Sequence, residues 1–295
     1  MRFIFIIMAY QNRKKLNYLH RLLPEGLFAD AAWFTSMGYP SPLRSRYVAS
    51  GWLEPVVRGV FRRPLHIPGA EHSAALRWQH VVVSLQLVMK RSLVVGGRTA
   101  LELQGFAHYV SSGPPREVHL YGEAGAPGWL RKLPLETVFV CHNTQRLFRS
   151  EPVAGGVERL SAELAAGRED LVRGSLTWRR FGEGEWPLVL STPERAVLEL
   201  LDELPNNETF HQADALIDGL ANLSPRRIDA LLRECRSVKV KRLFLWFAER
   251  AGHRWLDRID RDGVDLGSGK RMLARGGRFD AKYGITVPED LHAHG

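Results

Sequence analysis

Cysteine is nearly absent: Cys141 and Cys235 are the only two in 295 residues. That excludes a disulfide framework and suits a reducing cytoplasm. Long hydrophobic runs are missing as well. The opening MRFIFIIMAY falls far short of the roughly 20 apolar residues that span a bilayer, and QNRKK follows it with no A-x-A cleavage pattern. No membrane partner is expected from it. The stretch reads as an upstream translation start with Met8 as the natural one, a short anchor being the other reading. Metal-ligand spacings are also lacking. His108, His119, His142, His211 and His253 fall in no H-x-x-x-H or Cys/His pattern, and the one close pair, His292 and His294, lies in the terminal tail. No aspartate occurs between Arg98 and Arg168. Neither a metal nor a cofactor is expected, and neither cysteine has an evident base beside it.

What is present is positive charge. The formal net charge is +9, a balance that favours an anionic partner. It is unevenly spread. Residues 1–65 carry ten Lys/Arg against Glu25, Asp30 and Glu54, whereas residues 183–224 carry nine Asp/Glu against Arg195 alone. From Pro225 to Lys282 the chain is basic again. Such sign changes suggest separate surfaces with separate partners. The length allows two domains. PLHIPGAEHS, with two prolines and a glycine, suggests a linker at 66–73 between a domain over 1–65 and a larger one over 74–295.

Hydrophobic periodicity gives the fold class: mixed α/β (α+β), an N-terminal winged helix-turn-helix followed by a larger α/β domain with a helical C-terminal half. In the larger part, helices are expected at Leu76–Met89 and Arg98–Gln104, and strands at Ser92–Val95, Glu117–Tyr121, Thr137–Cys141, Ser175–Phe181 and Leu188–Leu190. Helices follow at Pro193–Leu204, Phe210–Leu220, Pro225–Arg236 and Val238–Ala251. Thr192-Pro193 and Ser224-Pro225 are N-cap and N1-proline signals.

In the first 65 residues, Asn12–Leu23 and Phe28–Met37 are expected as helices. Gly38-Tyr39-Pro40 makes a turn, and Ser41 caps a third helix with Pro42 in its first turn. Leu43, Tyr47 and Val48 point back at the first two helices. Ser45, Arg46 and Ala49 face outward, with Arg44 at the flank. Small residues beside arginines let a helix approach base edges while guanidinium groups reach guanine or phosphate. After Gly51, Trp52–Val56 and Gly59–Arg62 form a wing hairpin, with Arg58 near its turn and Arg62 and Arg63 at its base, placed for phosphate or minor-groove contact. The candidate DNA-binding residues are Ser41, Arg44, Ser45, Arg46, Arg58, Arg62 and Arg63.

LPEGLFADAAWFTSMGYPSPLRSRYVASGWLEPVVRGVFRRP resembles the N-terminal winged helix of AbiEi-type antitoxins of type IV abortive-infection toxin–antitoxin systems. LVVGGRTALELQGFAHY and REVHLYG resemble the start of that family's C-terminal domain, and VKRLFLWFAERAGHRWLDRIDRDGVDLGSGKRML its end. The likeness runs from about Leu16 to Leu291 and rests on the order of segments. It implies a non-enzymatic, cytoplasmic autorepressor whose winged helix binds inverted repeats in its own promoter. It also implies a larger domain that counteracts a nucleotidyltransferase-like toxin, directly or functionally.

Three other features invite chemistry. GGRTALEL, Gly96–Leu103, follows a strand and opens a helix whose free N–H groups suit an anion, but no D-x-D pair accompanies it; a glycine turn for close packing is the simpler reading. GSGKR, Gly267–Arg271, has Val264 where a P-loop needs glycine and Arg271 where it needs Ser or Thr. Third, Lys239, Lys241, Arg242, Arg250, Arg254 and Arg258 interleave with Phe244, Trp246, Phe247 and Trp255. If Leu243, Trp246 and Phe247 are core, the cations form the opposite face. Lys239, Lys241, Arg242, Arg250, Arg254, Lys270 and Arg271 are the candidate surface for toxin or nucleic acid. Two rival readings stay open: a nucleotidyltransferase-like enzyme fused to a DNA reader, and a ligand-sensing transcription factor.

Overall fold

Leucines at 16, 19, 22 and 23 give one apolar face to the first helix, α1 (residues 14–22), and Leu19 and Leu23 are buried by it. The computed structural model describes residues 14–65, 75–106, 115–123, 125–149, 157, 172–182 and 185–292. The opening run with Met8, the expected linker at 66–73, His108 and His294 lie outside the described residues.

The second helix starts later than its apolar pattern suggests. Phe28–Asp30 is a strand, β1, and α2 is Ala31–Ser36. Asp30 decides the boundary: its carboxylate accepts from the Trp33 N–H at 2.9 Å, capping a helix that begins at Ala31. The three residues before it pair antiparallel with the wing. Helix α3 is Ser41–Ala49, with Pro40 as its extended N-cap and Pro42 in the first turn. The wing strands are β2, Glu54–Val57, and β3, Val60–Arg62, and the sheet order is β1-β3-β2. Phe34 is the centre of this unit's core. Its ring meets Trp33, Tyr39 and Phe61 edge-on at 5.2, 6.2 and 5.7 Å.

Helix α4, Trp78–Val83, continues as a π-helical turn, Ser84–Val88. The Ser84 hydroxyl donates to the His80 carbonyl at 2.6 Å and accepts from the Phe28 N–H at 2.8 Å, which joins α4 to β1. His80 packs edge-on against Phe181 and Trp186. Burial, reinforced by Arg77 and Arg62, pulls its pKa down to about 4, so it is neutral. All these residues belong to one compact unit, Met1–Arg91 with Ala126–Glu136 and Phe181–Leu188.

The second compact unit comprises Ser92–Gly125, Thr137–Arg180 and Val189–Gly295. It opens with β4, Leu93–Val95; α5, Gly97–Leu103; β5, Glu117–Gly122; and β6, Val138–Asn143. Strands β7, Val172–Arg173, β8, Leu176–Phe181, and β9, Trp186–Ser191, complete a six-stranded sheet in the order β6-β5-β4-β9-β8-β7. The sheet is mixed: β4 runs antiparallel to β5 and parallel to β9, and β5 runs parallel to β6. Helices α6, Pro193–Asp202, α7, Phe210–Asp218, α8, Pro225–Glu234, and α9, Val238–Arg250, follow. Thr192 and Ser224 occupy N-cap positions without a side-chain bond, whereas Thr209 and Ser237 accept from Gln212 N and Val240 N. A hairpin not expected from the periodicity, β10, Arg278–Asp280, with β11, Ile285–Val287, precedes a last turn, α10, Glu289–His292. The mixed α/β class with an N-terminal winged helix is as the sequence predicts.

Candidate nucleic-acid interface

Helix α3 has an inner and an outer face. Leu43, Arg44 and Tyr47 are buried, and Ser41, Ser45, Arg46 and Ala49 are exposed. The helix ends at Ser50, and Gly51 at φ 72° turns the chain so that Trp52 N and Leu53 N bond back to the Tyr47 carbonyl. The wing turn carries Arg58 in solvent, followed by Gly59 at φ 80°. Arg46 and Arg58 make no ion pair or side-chain hydrogen bond with the described residues.

The other three arginines of the expected DNA face are held by the protein. Arg44 was expected at the flank of α3, yet it is only 9% exposed. Its guanidinium donates to the Tyr39 carbonyl at 2.7 Å and the Thr35 hydroxyl at 3.2 Å, and lies over the Phe61 ring. One step after Leu43 and three before Tyr47, it shares their inward face. Arg62 pairs with Glu54 across the wing at 2.6 Å. Arg63 donates to Glu25 at 2.7 Å and to the His20 carbonyl at 3.1 Å, fastening the wing base to α1. Tyr39 donates to the Lys15 carbonyl, and burial pushes its phenol up to about 12. Trp52, exposed beside His20 at 5.3 Å, is a further surface group that periodicity does not single out. Its only signal is an aromatic directly after the helix-ending glycine.

The expected cationic face of the long helix is not there. Residues 240–248 of α9 are all buried, because the helix is covered by α6, α7 and the loop over 265–269. Lys241 donates to the Asp265 carbonyl at 3.2 Å. Arg242, 4% exposed, donates to the carbonyls of Leu266, Gly267, Gly269 and Gly284 at 2.7–3.2 Å. Lys239 donates to the carbonyls of Asp202 and Leu204, and burial lowers its pKa. Arg250 forks onto Asp214 and reaches the Leu291 carbonyl. Only Arg254, Lys270 and Arg271 of that set are exposed.

The comparisons with known proteins decide the family. The model described as "Transcriptional regulator, AbiEi antitoxin, Type IV TA system" matches residues 115–288, and that of the "AbiEi antitoxin N-terminal domain" matches residues 12–112. The chain belongs to the AbiEi antitoxin family. It is thus a transcriptional regulator and antitoxin of a type IV toxin–antitoxin system. The fold is similar to the crystal structure of the RV2827C protein from Mycobacterium tuberculosis, with a TM-score of 0.54 at 15% identity over 92% of this chain and 88% of that one. No curated protein matches the chain by sequence.

In this antitoxin the glycine loop before α5 already holds an anion of its own. Glu199 of α6 accepts from the Gly97 N–H at 3.0 Å, and a Cβ at Gly96 would overlap that carboxylate and the Tyr121 ring. Arg195, fully buried, pairs with Glu199 at 2.7 Å and also donates to the Ser175 and Thr144 hydroxyls over the Phe148 ring. Periodicity alone does not bring Arg195 and Glu199 to that loop; an arginine isolated in an acidic block was the available signal.

Beside it, Glu203 accepts from His142 Nδ1 at 3.1 Å, leaving His142 Nε2 to accept from His119 Nδ1 at 3.0 Å. Burial, then the neighbouring His142, lowers the His119 pKa to about 4. The relay ties β5 and β6 to the end of α6. Among the described residues no three His, Cys, Asp or Glu side chains are grouped to hold a metal, and no helix is long and apolar enough to cross a membrane.

Proposed function

We propose that this antitoxin represses its own operon by laying α3 in the major groove of inverted repeats in the promoter, with the wing on the flanking backbone. Ser41, Ser45 and Arg46 face the bases and Arg58 the phosphates or minor groove, while Arg44, Arg62 and Arg63 hold the unit in shape. The observation that supports this most is that Arg46 and Arg58 are the candidate arginines left exposed and without an ion pair among the described residues, Arg46 beside side chains small enough for close approach. A guanidinium without internal partners reaches guanine or phosphate without breaking a bond inside the protein. The domain division behind the reading is 1–65 for DNA, a linker at 66–73, and 74–295 for antitoxicity against a nucleotidyltransferase-like toxin, without catalysis or cofactor.

The test uses the full chain. Arg46→Ala should weaken operator binding by ~1–3 kcal/mol with loss of discrimination at one base position. Arg58→Ala should weaken binding to all duplexes alike and flatten the salt dependence. The double variant should lose repression and still protect cells that express the toxin. Repression surviving in the double variant would remove the assigned recognition face; protection lost along with repression would remove the division of labour.

A further inference from the structure

The C-terminal loop and hairpin, residues 265–287, combine two features. From beneath, the loop is fixed by buried cations. Arg242 spends its donors on four of its carbonyls and Lys241 on a fifth, with no carboxylate partner for either among the described residues. Burying a charge against carbonyls alone is costly, so the arrangement makes sense where the loop's position matters more than stability. From above, the same segment presents unpaired charge and apolar surface. Lys270, Arg271, Arg275 and Arg278 are exposed and form no ion pair with the described residues. Met272 is 79% exposed and Phe279 38%.

Register sorts these groups between two faces. Arg271 bridges Ile285 from one side while β10 pairs with β11 from the other, Phe279 opposite Thr286. Strand alternation then puts Lys270 and Met272, the neighbours of Arg271, on the face that carries Phe279, and Arg271 and Arg278 on the opposite one. The Lys270 ammonium confirms it, standing 4.9 Å from the Phe279 ring centre. Gly267, Gly269, Gly276 and Gly284, all at positive φ, let the backbone turn tightly around this face.

We propose that this hairpin face binds single-stranded RNA: an unpaired base stacks on Phe279 and Met272, and the flanking phosphates lie on Lys270 and on Arg275 of the turn that leads into β10. An exposed ring among unpaired cations is the composition of a stacking platform. A duplex keeps its bases stacked inside and has no use for the ring. RNA loops and ends are the nucleic acid whose bases are ordinarily free. The proposal stands independently of the winged-helix reading, which concerns other residues.

Fluorescence anisotropy on the full chain tests it, with labelled oligo(U), oligo(dT) of equal length, and a duplex lacking the operator, each at low and moderate salt. Oligo(U) should bind most tightly of the three, with affinity falling as salt rises. Phe279→Ala should weaken it about tenfold without changing duplex binding. Arg275→Gln should flatten its salt dependence. Arg46→Ala should leave oligo(U) binding unchanged while weakening operator binding, so failure of one reading is visible apart from the other. Thermal melting checks that each variant folds, and Lys270→Gln serves as a second surface change that leaves the ring in place. The proposal is overturned if both the Phe279 and the Arg275 variants bind oligo(U) like the parent, or if the duplex loses as much as the RNA. It is equally overturned if oligo(dT) binds as tightly, or if the chain binds purified toxin through Phe279 and no RNA.

Discussion

Helix α3 leaves Arg46 in solvent between Ser45 and the exposed Ala49; helix α9 draws Lys241 and Arg242 out of solvent altogether. Both helices are short on acidic residues and rich in cations, and by composition either is a candidate for nucleic acid. The difference lies in how many sides of each are covered. The structure packs one face of α3 and leaves the other open. It surrounds α9 with α6, α7 and the 265–269 loop. A cation on a helix covered all round must find carbonyls or carboxylates inside the protein, and those of α9 do. The lesson is that a basic helix is a surface only when something fails to pack against it. The charge that α9 buries positions a different set of cations, on the hairpin outside it.

The comparison is most sharply tested where an arginine is fully buried. Arg195→Ala strands the Glu199 carboxylate at zero exposure, so the protein should lose ~3–5 kcal/mol in urea denaturation. A loss under about 1 kcal/mol would mean the pair is not what holds α6 to the glycine loop.

Acid comes next, and it compares the two units directly, since each holds a buried histidine whose pKa is pulled down to about 4. His80 and His119 have pKa values of about 4 against 6.5 for the free side chain. Because the folded pKa is depressed, the unfolded chain binds more protons between these values. The stability they confer is complete above pH 6.5 and is lost as pH falls towards 4, on the order of 3 kcal/mol for each residue. Urea midpoints at pH 7 and near pH 4.5 should differ accordingly, and His80→Gln should remove only the first unit's share. A flat profile across that window would exclude both assignments.

A smaller effect is expected at Arg242. Changing it to Gln leaves carbonyls of residues 266–284 without a donor and should cost ~1–3 kcal/mol. Amide exchange should accelerate in that segment ahead of the sheet; uniform acceleration would show that Arg242 supports the whole unit instead of the loop. The smallest effect tests the two faces of α3 against each other. Arg44→Ala should cost ~1–2 kcal/mol through its lost bonds to Tyr39 and Thr35, while Arg46→Ala should stay within about 0.5 kcal/mol. Equal losses would contradict the assignment of inner and outer faces.

Much of the fold was legible one element at a time. Helices α6 to α9 declare themselves by apolar period and by Thr192-Pro193 and Ser224-Pro225, and their ends fall within two residues of expectation. The start of α2 was not, because Phe28-Ala29-Asp30 continues a helical apolar pattern and only its pairing with β3 makes it a strand. The β10–β11 hairpin was hidden for the opposite reason: three-residue strands among glycines carry too little alternation to be read. On the candidate interface, Ser41, Ser45, Arg46 and Arg58 were placed on the exposed side by spacing alone. Arg44 is expected at the flank and Lys241 and Arg242 on an outward face, yet all three are buried, since periodicity names a helix's faces without saying how many of them the rest of the chain will cover.

The sequence by itself determined the winged-helix order of elements, the mixed α/β class and the basic character of the two ends, because period, caps and charge are local properties that survive without knowledge of neighbours. Tertiary structure alone decided which cations meet solvent, that Glu199 fills the glycine loop, and that Lys270, Met272 and Phe279 share one face. Each of those depends on segments far apart in the chain arriving at the same place, and on the cost of leaving a charge or a carbonyl there without a partner.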